Sequence, residues 1–396
     1  MNTKQSSFDL LTKEISNYIY LRQNEMLAFL KELVEVESPT ESIEGVNRVG
    51  QILAKELEDL GFTITQIKEE KYGNHIIADY VVPEAPRVLM VGHMDTVFPV
   101  GTGWGFSLKE NRAYGPGLID MKSGDAVILY SLRALKNCMN EFPMSIRVFF
   151  NGDEEPGSPQ SRKIIPKVVE GVDWAFVFEP SEPSGQIVLK RKGVGIFHIE
   201  VEGRSAHAGQ EPEKGINAIH ELAHQIKCLE NLADPKKGTT ISVGKISGGT
   251  AAYVVPDTAR AVIDIRVPDT EEQYRIEKEM KKLEKNQSLP GSVITVKGGF
   301  HRPPMVERQE TKVMKEALLQ SAAKLEQTLQ FGSSGAVSDG NNINAEKIPT
   351  IDGIGPIGGR AHSTDEYMEV ESFFDRTVLM ALTLGTLSRE GRKSDE

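Results

Sequence analysis

The chain has 396 residues, of which 39% are hydrophobic, enough for a full-sized core and, at about 150 residues per domain, for two or three domains. Its formal net charge of −11 speaks against a nucleic-acid or anionic-membrane partner, since either needs clustered positive charge. Cys138 and Cys228 are the only cysteines and lie far apart, which excludes a disulfide framework or a zinc–thiolate site and leaves His and carboxylate to hold any metal.

The segment from Met1 to Ser7 is polar, with no basic region followed by an apolar run, and no apolar stretch approaches 20 residues. A soluble, cytoplasmic protein is expected. Residues 9–36 and 44–60 read as amphipathic helices; in the second, Val46, Val49, Ile52, Leu53, Leu57 and Leu60 recur at helical spacing before Gly61 stops it. Strands follow at 62–68, 75–82 and 87–92, then a helix at 123–136, a strand at 145–150, a helix at 160–170 and a strand at 174–178. Strands alternating with helices imply an α/β fold with a mainly parallel sheet covered on both faces.

The next stretch reads strand 194–202, helix 215–230, strands 239–247 and 258–267, helix 271–286 and strand 292–298. That order is βαββαβ, a ferredoxin-like unit able to bury its own core. Pro303-Pro304 precedes a helix at 307–326; a Gly/Ser-rich segment (332–340), a short strand near 348–351 and a final helix at 370–388 complete the chain. The expected organisation is a catalytic domain of about 1–190 plus 305–396, interrupted by an inserted domain of about 191–304.

Three apolar strands run directly into metal-binding residue types. Val88–Val91 leads to His93, Ile146–Phe150 leads to Glu154-Glu155, and Trp174–Phe178 leads to Glu179. Open α/β sheets place their active sites at such strand ends. Asp120 follows Gly115-Pro116-Gly117 just before a helix, and His362 lies in a glycine-rich loop. Jointly these residues suggest a hydrolase holding two metal ions.

Asp95 stands two residues from His93, on the same side of an extended strand, where its carboxylate can take the second N–H of a ligating imidazole. A surface turn is the alternative for His93-x-Asp95, and an ordinary helix N-cap is the alternative for Asp120. Glu154 and Glu155 would repel each other if buried without a cation. One can ligate while its neighbour faces water; the alternative is an exposed acidic turn with Asp153.

These segments resemble the M20 metallopeptidases, and within them the glutamate carboxypeptidase-like branch. The resemblance is carried by Gly92-His93-Met94-Asp95-Thr96-Val97, the run Gly115–Gly124, Asn151-Gly152-Asp153-Glu154-Glu155, Glu179-Pro180, Ser205-Ala206-His207-Ala208-Gly209 and Ala361-His362-Ser363-Thr364-Asp365-Glu366. It covers nearly all of the chain from about residue 24. It implies a zinc-hydrolase catalytic domain with a lid and dimerisation domain, and two Zn²⁺ per chain, with Co²⁺ or Mn²⁺ also accepted by such ligands.

By that resemblance His93 and Glu179 hold one ion, Glu155 and His362 hold the other, Asp120 bridges both, and the peptide bond from Asp120 to Met121 is cis. Asp95 orients His93, and Glu154 is the general acid/base. His207 reaches across a homodimer to the developing oxyanion, and Arg266 binds the substrate's free carboxylate. Tyr253 stands where the family often has Asn, which puts the substrate side chain in question more than the reaction. The implied substrate is a small peptide or N-acyl amino acid; an acetylornithine- or succinyl-diaminopimelate-type deacylase is the alternative.

Gly353-x-Gly355-x-x-Gly358 matches a dinucleotide fingerprint only formally, because Pro356 interrupts it and no helix follows. Gly358-Gly359 instead would let backbone approach substrate beside His362. Lys190-Arg191-Lys192 reads as a solvated strand end, and His220 and His224 as residues of a helix surface.

Overall fold

A computed structural model describes residues 2–390, and the ends of the expected catalytic domain, residue 1 and residues 391–396, lie outside the described residues. The chain divides into two compact units: residues 1–189, 307–334 and 338–396 form the first, and residues 190–306 with 335–337 the second.

The first unit is built on a six-stranded sheet. Its strands run in the order Thr63–Ile67, His75–Tyr80, Ser145–Asn151, Arg87–His93, Trp174–Val177 and Thr350–Ile351. The last four are parallel, and the first two form an antiparallel edge. Alternate residues of a strand point to opposite faces, and the burial follows that rule. Val88, Met90, Ile146, Val148 and Phe150 enter one core, together with residues of Gln23–Glu35, Ile43–Asp59, Ser123–Met139, Thr311–Lys324 and Val370–Glu390. Leu89, Val91, Phe149, Ala175 and Val177 enter the other, under Ser161–Val168 and Ile343. Both faces are covered, so these strands read as continuous apolar runs.

Several expected boundaries shift. The helix expected at 9–36 is two helices, Asn2–Tyr20 and Gln23–Glu35. The Gly/Ser-rich segment holds a short strand, Phe331–Ser334, and a short helix, Asp339–Ala345, opened by a capping box in which the Ser338 and Asn341 side chains take each other's backbone N–H. Arg191 is buried, not solvated, and its Nη1 lies 3.5 Å from the Ala336 carbonyl.

The second unit has the βαββαβ order, with strands Gly193–Glu202, Thr240–Gly248, Thr258–Val267 and Val293–Arg302 and helices Ala218–Glu230 and Thr270–Leu283. All its strand pairings are antiparallel, and Thr240–Gly248 is an edge strand. Asn217 and Asp269 start the helices by accepting the backbone N–H of His220 and Glu272. Ile199, Val201, Leu222, Ile263, Ile265 and Ile276 make the core between sheet and helices.

Candidate metal centre

The parallel register puts three chemical groups at one sheet edge. His93 ends its strand opposite Asn151, Glu154 and Glu155 follow Asn151 in the next turn, and Glu179 lies just past the neighbouring strand, Trp174–Val177. Asp120 arrives from a kinked turn, Leu118–Lys122, in which Asp120 (φ −119°, ψ 91°) and Met121 are not helical and the bond joining them is cis. The following helix begins at Ser123, so Asp120 is not its N-cap. Gly117 opens the turn at φ +65°, and a Cβ there would stand 2.2 Å from Thr96 Cγ2, so only glycine fits. His362, itself at φ +64°, sits in the loop after Gly358–Gly359.

The five side chains meet. His93 Nε2 is 3.2 Å from Asp120 Oδ1 and 3.8 Å from Glu179 Oε1, while His362 Nε2 is 3.1 Å from Asp120 Oδ2 and 3.4 Å from Glu155 Oε2. Each oxygen of Asp120 therefore faces a different imidazole. Two triads result, His93–Asp120–Glu179 and Asp120–Glu155–His362, with all ligand atoms of each within 4.8 Å of one another. Two donors about 2.1 Å from one zinc at the tetrahedral angle stand about 3.4 Å apart, so these spacings fit a cation in each triad.

The electrostatics point the same way. Burial, reinforced by the Asp120 charge, pushes the Glu179 carboxyl well above the ordinary range. Burial likewise raises Glu155, against a lowering contact from His362, and its Oε1 is buried without a hydrogen-bond partner. Asp120 is held low, because the His362 and His93 imidazoles outweigh its burial. Burial opposes charge on His93, yet its contacts to Asp120 and Asp95 raise it well above 6.5; His362 is lifted to about 10 by Asp120 and Glu155. Protons here do work that cations can do: they separate carboxylates from one another and from imidazole lone pairs.

Asp95 stands against His93 with both its backbone and its side chain. His93 Nδ1 is nearest the Asp95 backbone carbonyl, at 3.0 Å, with the carboxylate at 3.4 Å. A carbonyl only accepts, so Nδ1 carries a hydrogen, and Nε2 is the ring nitrogen that faces Asp120 and Glu179. The fully buried Asp95 carboxylate accepts from Thr40 Oγ1 (2.8 Å) and from the backbone N–H of Glu154 (3.1 Å) and Glu155 (3.2 Å). Nothing local in the sequence marks Thr40 for this role. Glu154 is half-buried, and its charge adds to the upward push on Glu179. With the Glu155 side chain 8% exposed, an exposed acidic turn is ruled out.

The remaining candidates are placed as follows. Gly358 and Gly359 pair with Met368 and Tyr367, and a Cβ on Gly358 would stand 2.2 Å from the Tyr367 carbonyl, so close approach of its own strand partner requires that glycine. His207, Tyr253 and Arg266 belong to the second unit. His207 is exposed, and its Nδ1 accepts the N–H of Gly209 and of Gln210, both at 3.1 Å, which leaves the hydrogen on Nε2. Tyr253 is 70% exposed. Arg266 Nε faces Asp264 Oδ1 at 3.2 Å, and Nη1 donates to the Gly335 carbonyl at 2.9 Å. His220 and His224 lie on the surface of their helix, His224 beside Cys228.

A layered α/β unit whose sheet edge gathers two imidazole–carboxylate triads around one shared aspartate has the architecture of a dinuclear metallohydrolase. The chain belongs to peptidase family M20/M25/M40, whose model matches residues 89–386. It is 28% identical over 369 residues to carboxypeptidase G2 of Pseudomonas sp. (strain RS-16), covering 91% of this chain and 89% of that one. It is 26% identical over 384 residues to the succinyl-diaminopimelate desuccinylase of Nitrosospira multiformis, covering 92% and 98%. Its fold matches the crystal structure of aminopeptidase PepT from Bacillus cereus with a TM-score of 0.79 at 24% identity, covering 92% and 98%. Among the described residues, no helix is long and apolar enough to cross a membrane.

Proposed function

We propose that this enzyme hydrolyses the amide bond of small substrates with a free carboxylate, as a glutamate carboxypeptidase-like exopeptidase using two zinc ions. One observation carries the reading: the Asp120 carboxylate divides its oxygens between two triads, at 3.2 Å and 3.1 Å from the two imidazoles. His93 and Glu179 would hold one ion, Glu155 and His362 the other, with Asp120 between them. When bound, such a pair polarises the amide carbonyl and makes water a stronger nucleophile at neutral pH.

Every other part of the chemistry falls to the chain. Glu154 takes a proton from the water that attacks the carbonyl carbon and delivers it to the leaving nitrogen. Its backbone N–H on Asp95 fixes where that carboxylate starts. Arg266, its guanidinium held by Asp264 and Gly335, binds the free carboxylate in the bidentate manner that suits a planar fork. His207 donates Nε2–H to the developing oxyanion. The exposed edge strand Thr240–Gly248 supports a homodimer through the second unit.

A deacylase reading stays in view because the resemblance to the desuccinylase spans 98% of that relative. The test is a substrate panel with the zinc-loaded protein: peptides ending in glutamate, N-acyl glutamates, N-acetylornithine and N-succinyl-diaminopimelate. Turnover is expected for the glutamates, and Glu154→Gln should keep its zinc while losing about 10²–10⁴ in kcat. Unchanged turnover in Glu154→Gln refutes the mechanism; preference for the last two compounds selects the deacylase.

A further inference from the structure

The turn that carries Asp120 leaves backbone donors to be satisfied. Asp120 and Met121 depart from helical geometry, so the regular carbonyl ladder does not serve this turn, and a buried N–H without an acceptor is costly. The acceptor comes from far along the chain. Glu366 Oε1 takes the N–H of Ile119 at 2.7 Å and that of Asp120 at 3.3 Å. Glu366 is completely buried, and its other oxygen, Oε2, is buried without a hydrogen-bond partner.

Glu366 is also tied to the second triad through its own backbone. It lies four residues after His362, in a chain of tight turns where Ser363 N–H donates to Arg360 O and Glu366 N–H donates to Ser363 O. The next residue, Tyr367, enters a strand pairing with both Tyr114 and Gly359. The backbone at Glu366 is thus anchored on two sides, and its side chain reaches a fixed distance to the Asp120 turn.

We propose that Glu366 is a positioning residue that sets the separation of Asp120 and His362, and so the second cation site. The proposal rests on the reading of Asp120 and His362 as ligands. Glu366 meets neither substrate nor reacting atoms; it acts by holding the Asp120 backbone against the loop that brings His362. The property that matters is an acceptor oxygen at the reach of a glutamate, not its charge.

The test compares Glu366→Gln, which keeps reach and acceptor, with Glu366→Asp, which keeps the carboxylate but shortens it by one methylene. Zinc affinity is measured by competition with a chromogenic chelator, alongside kcat, KM and the melting temperature of the metal-free protein. Glu366→Gln should stay near wild type in zinc affinity and kcat. Glu366→Asp should melt as a folded protein yet lose about 10–100-fold in affinity for one of its two zinc ions, with a fall in kcat and KM little changed. Wild-type zinc affinity in Glu366→Asp overturns the proposal, as does a Glu366→Gln variant impaired as much as Glu366→Asp. A wild-type protein without two tight zinc sites overturns the ligand reading as well, so the two failures are told apart.

Discussion

Replacing Asp95 by asparagine tests whether the carboxylate behind His93 organises the Glu154–Glu155 turn. Oδ1 accepts from the Glu154 N–H, and Oδ2 accepts from both the Glu155 N–H and the Thr40 hydroxyl. An asparagine offers one oxygen and one NH₂ at the same two places. Whichever way it turns, the NH₂ meets a backbone N–H, and one buried donor loses its acceptor. Leaving such a donor unsatisfied costs about 1–3 kcal/mol, and the negative charge shared by two further donors is lost with it. The turn should relax away from NH₂, moving Glu154 and Glu155 together.

The expected outcome for Asp95→Asn is a lower melting temperature in the metal-free protein and a kcat or zinc affinity reduced by about 10–100-fold. Thr40→Val supplies the control, since it removes one hydroxyl and leaves both backbone contacts in place. Its effect should be about 1 kcal/mol, the ordinary net value of one hydrogen bond. Steady-state kinetics, chelator competition and thermal melts on the three proteins decide it. Asp95→Asn matching wild type in all three measurements would refute the account of this hub.

Zinc loading at pH 7 should release protons, because His362 titrates near 10 in the metal-free protein and must give up its proton to ligate. Calorimetry in buffers of different ionisation enthalpy measures the number, and apparent affinity should climb as pH rises toward 10. Without metal, stability should fall on the alkaline side: the raised pKa of His362 stabilises the fold fully below about 6.5 and is lost as pH passes about 10. Glu366, raised to about 8 by burial, has the same sign, with its contribution complete below about 4.5 and gone above 8. A flat melting profile between pH 6 and 10 contradicts both. Arg266→Lys should raise KM for a carboxylate substrate about tenfold to about a hundredfold with kcat nearly kept, the equivalent of about 1.5–3 kcal/mol for a charged hydrogen bond. Gly117→Ala should destabilise the fold by about 1–3 kcal/mol, since its φ of +65° and the 2.2 Å approach to Thr96 both resist a Cβ, and an unshifted denaturation midpoint would count against the tight turn.

Much of the site can be read one segment at a time. His93, Glu154-Glu155 and Glu179 announce themselves because an apolar strand that ends in a ligand-type residue is a local pattern, and a covered parallel sheet makes its strands uniformly apolar. The βαββαβ order is legible for the same reason, since strand and helix periods differ. Short pieces such as Ser107–Lys109, Arg112–Tyr114 and Gly358–Gly359 carry no period to detect, and the helix Asp339–Ala345 is hidden in a stretch whose glycines and serines read as loop.

What only folding decides is which distant groups share an oxygen. Thr40 reaches Asp95 across 55 positions and Glu366 reaches the Asp120 turn across 246, so neither contact leaves a trace in local spacing. The residue types at the strand ends follow from the order of amino acids alone; the division of Asp120 between two imidazoles, and the buried acceptors that hold its turn and the Glu154 turn still, exist only once those segments are packed side by side. Hydrophobic periodicity acts over a few residues, whereas a buried N–H takes whichever acceptor the packed core brings within 3 Å or so, and that choice belongs to the three-dimensional arrangement.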